Sequence, residues 1–359
     1  MKQLFLSITT LLLISATANA KIWRMNNNAT LTPSIKTDFL VGITLQQAHD
    51  SSKVVNGDTI HLEQSPANYG DCNFTKRLIL IGSGFMLSEP NPNTQVNTSN
   101  NSKIGTITLH NGGAVGSQLL GVQTTGVIYA GVSNLTIRNC YTPYIWIGNS
   151  ATVCDNISII QNFIESGGYD WAIREYNAPS VKSRNLRIIG NIIYNYYGIT
   201  YGGNFEGIIK NNTITGSNLG GLTMLSVHNT YVVNNITTNG NNSYPNGFTN
   251  CVVENNLGYS LNAFVSPTTS NTAYGPGNLN NITIGFVTGG SRDGNFNIQN
   301  SSPAYLTGKG GISMGAFAGD YPYRLSGVPP VPNVYQLSIG TIAPAAATMS
   351  VTVSSKSNN

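Results

Sequence analysis

Six copies of one short phrase constrain this chain most. Each is a β-branched run of about four to six residues closed by asparagine, a strand length rather than a helix length. Examples are Asn134-Leu-Thr-Ile-Arg-Asn139, Asn156-Ile-Ser-Ile-Ile-Gln-Asn162 and Asn185-Leu-Arg-Ile-Ile-Gly-Asn191. The closing asparagines are Asn139, Asn162, Asn191, Asn212, Asn235 and Asn256. They recur at intervals of about 21 to 29 residues, a repeat size that signals stacked units. Asn, Thr, Gly and Tyr fill the gaps and form helices poorly, so a two-helix repeat is disfavoured. The reading is an all-β parallel β-helix solenoid with coils of roughly 22 residues, like stacked over like about 4.8 Å apart.

Stacking explains the asparagines. Asn tolerates the left-handed backbone of a sharp turn, and its amide can both donate and accept between neighbouring coils. Composition agrees: 9% of residues are charged, against about 25% in ordinary domains. Columns of like charge one strand spacing apart would repel.

Residues 1–20 read as a secretory signal. Lys2 opens it, Leu4 to Ile14 form an apolar core, and Ala18-Asn19-Ala20 is a cleavage site. That core is too short to span a bilayer, so the chain is expected to be exported and to carry no integral membrane segment. The residues from 21 to 327 are expected to form one β-helix domain and 328–359 a Pro-rich tail with one strand. Cys72, Cys140, Cys154 and Cys251 fall in different columns and lack zinc-site spacing, so they are expected to be small buried hydrophobes.

Thr44 with Gln47 forms a capping box ahead of a short helix. A helix there would cover the open end of the stack. The run Leu45-Gln46-Gln47-Ala48, Gly57-Asp58-Thr59-Ile60-His61-Leu62, Tyr69-Gly70 and Leu78-Ile79-Leu80-Ile81-Gly82 resembles the N-terminal cap and first coils of the pectin-lyase-like right-handed parallel β-helix superfamily. With the Asn-ended repeats, the resemblance covers about residues 40–320. It implies a right-handed helix, and a carbohydrate lyase, hydrolase or epimerase, a tailspike or a surface protein. Gly82-Ser83-Gly84-Phe85 with Asn91-Pro92-Asn93-Thr94-Gln95 also resembles exported β-helix proteins of Bacteroidetes-type bacteria.

Function must sit on residues brought together by adjacent coils. Counting back from the closing asparagines places Glu206 in an otherwise Asn column and His228 about one coil further on. They are candidates for an acid–base pair over a sugar; the alternative is a turn carboxylate and a solvated imidazole. Asp155 and Arg184 read as a structural ion pair. An aromatic cluster follows: Tyr144 and Trp146, then Tyr169 and Trp171 about one coil later, then Tyr197 and Tyr201. Such rings suit sugar faces, and Asp170, Arg174 and Glu175 among them could contact hydroxyl or carboxylate groups, with Asp170 and Arg174 also candidates for catalysis; the alternative is that some rings fill the interior.

Familiar enzyme signatures are missing. Only eight Asp occur, with no Asp-Asp pair, and there is no phosphate loop, nucleophile elbow or HExxH helix. No cofactor or metal is expected. A net charge of +4, with no basic stripe, argues against nucleic acid. The expectation is a secreted, periplasmic or surface-bound monomer that binds a polysaccharide laterally. The alternatives are a lyase or glycoside hydrolase with an atypical site, and a structural adhesin.

Overall fold

The computed structural model describes residues 20–28, 30–90, 99–149, 152–176, 182–216, 224–238, 247–259, 264, 271–339 and 350–356. The expected signal segment, apart from Ala20, lies outside them. No helix among them is long and apolar enough to cross a membrane.

Short strands of period-2 pattern cannot bury their apolar side alone, so they stack. Two long sheets result, joining 13 and 15 strands, almost all parallel. The architecture is a solenoid-like β-helix. Residues from successive laps pair in fixed register: Leu80, Leu119, Ile137, Ile159, Ile188, Ile209, Val232 and Val253 form one continuous row. Every member is buried. The helix α1 (Leu45–Asp50) carries the capping box between Thr44 and Gln47 and buries Leu45 and Ala48.

Inside one corner runs an amide ladder. The side-chain nitrogens of Asn162, Asn191, Asn212, Asn235 and Asn256 each donate to the side-chain oxygen of the next Asn, at 2.9–3.1 Å. The last acceptor is Asn278. Each acceptor oxygen also takes the backbone N–H of the previous member. The same nitrogens reach a strand carbonyl of the previous lap, as Asn191 does to Ile159 at 2.8 Å. Buried amides are thereby satisfied without water.

The expectation for Asn139 is corrected. Arg138 pairs with Ile160, so Cys140 stands in line with Asn162 and Asn139 with Gln161. Cys140 donates its N–H to the Asn162 side chain, and its thiol points at the Leu119 carbonyl 3.5 Å away. Asn139 instead heads a neighbouring row of left-handed residues: Asn139, Gln161, Gly190, Asn211, Asn234 and Asn255, at φ from 50° to 66°. The count from the sequence slips by one because both rows favour Asn, one for its amide and one for its backbone. A second, exposed ladder links Asn134, Asn156 and Asn185, and again Asn229 and Asn250.

The four cysteines are buried and unbridged. Burial pushes the Cys140 thiol up to about 12.

After the last coil the chain turns back and runs down the left-handed row towards the first coils. Lys309 donates its backbone N–H to Asn234, Asn211 reaches the Ser313 and Gly315 carbonyls, and Gln161 donates to the Pro322 carbonyl. A Cβ at Gly190, whose φ is +66°, would stand 2.2 Å from the Tyr321 carbonyl, so only glycine lets this strap lie so close. Val351–Lys356 pairs antiparallel with Asn333–Ile339 as a ribbon beyond the strap.

Removing one rung of the amide ladder tests how much it stabilises. Asn212→Ala would orphan the Asn191 N–H and take the side-chain donor from the Ile188 carbonyl, which keeps its strand pairing. An unsatisfied buried group costs about 1–3 kcal/mol, so urea denaturation should show a loss of about 1–3 kcal/mol, against under about 0.5 kcal/mol for an exposed surface substitution.

Candidate functional site

The strands Ile128–Ala130, Ile145–Ile147 and Phe163–Glu175 lie side by side in the second sheet. In the first two, buried aliphatic residues flank one outward aromatic, Tyr129 or Trp146. The register places Thr108, Tyr129, Trp146, Arg174 and Thr200 in one outward row.

Trp146 is the hub. The Arg174 guanidinium lies 3.8 Å from its ring centroid. Tyr129 meets it edge-on at 5.3 Å, Tyr176 stacks on it at 5.8 Å, and Tyr144 lies 6.1 Å away. His110 joins through Tyr176 at 5.6 Å and Tyr129 at 5.7 Å. The reason is local: His110 and Tyr176 continue the backbone rows that end at Leu109 and Glu175, and the two positions between them are Gly131 and Gly148. A Cβ at Gly131 would stand 2.3 Å from the His110 ring, so the missing side chain makes room for the imidazole.

The polar groups of this cluster are incompletely matched. Among the described residues, Trp146 Nε1, His110 Nε2 and, on the inward row, Glu175 Oε1 are buried without a hydrogen-bond partner. An unmatched buried polar atom costs about 1–3 kcal/mol, and native proteins carry few of them. Two of these atoms, on Trp146 and His110, lie in the outward cluster itself. Glu175 pairs with Ile147, in a row whose other members, Leu109, Ala130 and Ile147, are buried aliphatics. Burial raises its carboxyl above the ordinary glutamate value, ahead of the opposing Gly202 N–H. Burial likewise lowers the His110 imidazole, favouring its neutral form.

The sequence-derived candidates divide. Arg174 sits in the cluster; Glu175, the next residue, alternates to the other side of the strand, in line with the buried Ile147. Asp170 lies 3.2 Å from the Arg174 Nε and accepts the Trp171 N–H at 2.7 Å, which makes it a positioning residue. Trp171 does not stack under Trp146. A register irregularity between Ser166 and Trp171 shifts it onto Tyr197, 5.1 Å away and nearly parallel, as a separate aromatic pair. Tyr169 is 80% exposed beside this irregularity.

Tyr201 is corrected as a binding residue. It is 1% exposed, inside the core, and hydrogen-bonds to Thr230 at 2.5 Å. Strand alternation turns it inward, next to the outward Thr200. The Glu206–His228 acid–base pair is also corrected. Glu206 lies on the strand Phe205–Lys210 of the first sheet, and His228 closes Met224–His228 of the second. Glu206 pairs with Lys182 and lies 3.9 Å from Arg184. The lowered imidazole of His228 has burial as its cause, with no contribution from Glu206. Arg184 meets Asp155 through its backbone N–H, at 2.7 Å, rather than as an ion pair.

Sequence reasoning misses His110, Tyr129 and Tyr176. Tyr129 is within its reach, because Ile128-Tyr129-Ala130 repeats the pattern of Ile145-Trp146-Ile147. No metal-ligating cluster of three or more His, Cys, Asp or Glu occurs among the described residues. Comparison with protein-family models, curated proteins and solved structures finds no match to this chain.

Glu175 has a testable signature in stability. Below its unfolded value, near 4.5, the carboxyl is protonated in both states and burial has no electrostatic effect. As pH rises, the unfolded chain ionises more readily, so the fold loses stability. Glu175→Gln should therefore melt higher than the parent at neutral pH, with the gap closing below pH 4.5. Differential scanning calorimetry across that range checks the sign.

Proposed function

We propose that this is an exported, right-handed β-helix protein of the pectin-lyase-like kind that binds a polysaccharide along the outward face of its second sheet. The carrying observation is the Trp146 cluster, where aromatic rings adjoin two unmatched buried polar atoms, Trp146 Nε1 and His110 Nε2. Sugar rings present apolar C–H faces to aromatic rings and hydroxyls to polar edges. The Trp171–Tyr197 pair, on the next strands of the same sheet, extends the aromatic surface, as a chain-like ligand requires. Right-handed winding follows the general preference of parallel crossovers. The apolar start of the sequence supports export.

A glycan-array screen of the chain from Lys21 onward tests this reading. Trp146→Ala should weaken the hits about tenfold or more, the scale of removing an aromatic anchor. Glu206→Gln should leave them within about twofold, since that side chain lies off the site and an exposed ion pair contributes little. An array with no hits, or hits indifferent to Trp146→Ala, overturns it.

A further inference from the structure

Away from the aromatic face, the returning strap roofs a separate cavity. It lies over the outer side of the first sheet at the N-terminal coils, with a volume of about 540 Å³. That falls within the roughly 300–1,000 Å³ typical of ligand pockets. One wall is the outward side of the strands Ile22–Asn26 and Thr59–Leu62, presenting Arg24, His61 and Glu63. The other is the proline-rich strap, with Pro329, Val331 and Pro332.

The polar wall is built and fixed. Arg24 and His61 are paired in register, so their side chains stand side by side. The Arg24 guanidinium lies over the Phe39 ring, 5.4 Å from its centroid, and donates to Glu63 Oε1. Asn26 donates to Glu63 Oε2 at 3.0 Å. A carboxylate has about four acceptor positions and a guanidinium five N–H groups. After these bonds, both keep capacity for a ligand. His61 hydrogen-bonds to none of the described residues, leaving one ring nitrogen to donate and one to accept.

The chemistry selects the ligand. Arg24 and Glu63 cancel in charge, so neither an anion nor a cation finds an uncompensated partner. Acceptor and donor side by side match a vicinal pair of hydroxyls. Aliphatic proline and valine surfaces opposite match the C–H face of a ring. We propose that this cavity holds a neutral saccharide of one or two rings, with its hydroxyls on Arg24, His61 and Glu63 and a C–H face on the strap. The site is distinct from the Trp146 cluster and stands whether or not that cluster binds a polysaccharide. Because Pro329 to Pro332 form its wall, the C-terminal strap both closes the helix flank and completes the site.

The four histidines of the intact protein make the test direct. Their imidazole C–H signals are followed by NMR while maltose, cellobiose and lactose are each titrated in, with His61→Ala assigning the signal. The expected result is a saturable shift at His61 with at least one of the three. Glu63→Gln and Arg24→Gln should each weaken it about tenfold, and Trp146→Ala should leave it unchanged. Unaltered signals from the other three histidines show that the variants remain folded; Arg24, two-thirds exposed, serves if Glu63→Gln fails to fold. No saturable shift at His61 with any of the three sugars overturns the proposal. So does a shift confined to His110, or one seen only when glucuronate is titrated in alongside as the charged comparison.

Discussion

Everything in this molecule depends on backbone groups finding partners in the lap above and the lap below. The buried amide column from Asn162 to Asn278 reinforces that pairing at a corner where strands must end. Each side chain bonds its successor and a strand carbonyl of the lap before. A one-residue slip would leave these amides unmatched in the interior, at about 1–3 kcal/mol each. The column therefore enforces register, and register decides which side chains become neighbours.

The binding face shows the consequence. Trp146 and Arg174 meet because their backbones pair, although they lie on different laps of the chain. The strand Phe163–Glu175 absorbs its additional length in one irregularity, which displaces Trp171 to Tyr197. Gly131 then clears the space in which His110 meets Tyr176 over the same face. One extended surface thus divides into two aromatic groups.

The returning strap solves a different problem. A corner of left-handed residues exposes side-chain amides and backbone that need partners. Asn234, Asn211 and Gln161 hand theirs to the strap one after another. At the far end Lys309 bonds both Tyr231 and Glu254, fastening the strap near the last coils. The same run carries the proline segment to the first coils, where it encloses the cavity beside Arg24.

Local pattern determined a good deal. The β-branched runs and their period dictate stacked parallel strands, because such runs bury their apolar side only against copies of themselves. Thr44 and Gln47 specify the capped helix, and the scattered cysteines carry no framework. The aromatic residues at 144, 146, 169, 171 and 197 are visible in the sequence as a group. Their pairing is not: the even spacing suggests Trp146 over Trp171, whereas the register irregularity puts Arg174 there. Asn139 is misplaced by counting because two adjacent rows ask for the same residue for different reasons. Tyr201 and Glu206 are misassigned because distance along a chain does not report which sheet, or which side of it, a residue joins. The recruitment of His110 and the closing of the cavity by residues 329–334 were decided by the tertiary structure alone. Both bring together segments remote in sequence, and contacts of that kind follow from how the laps are laid down in space rather than from any local preference.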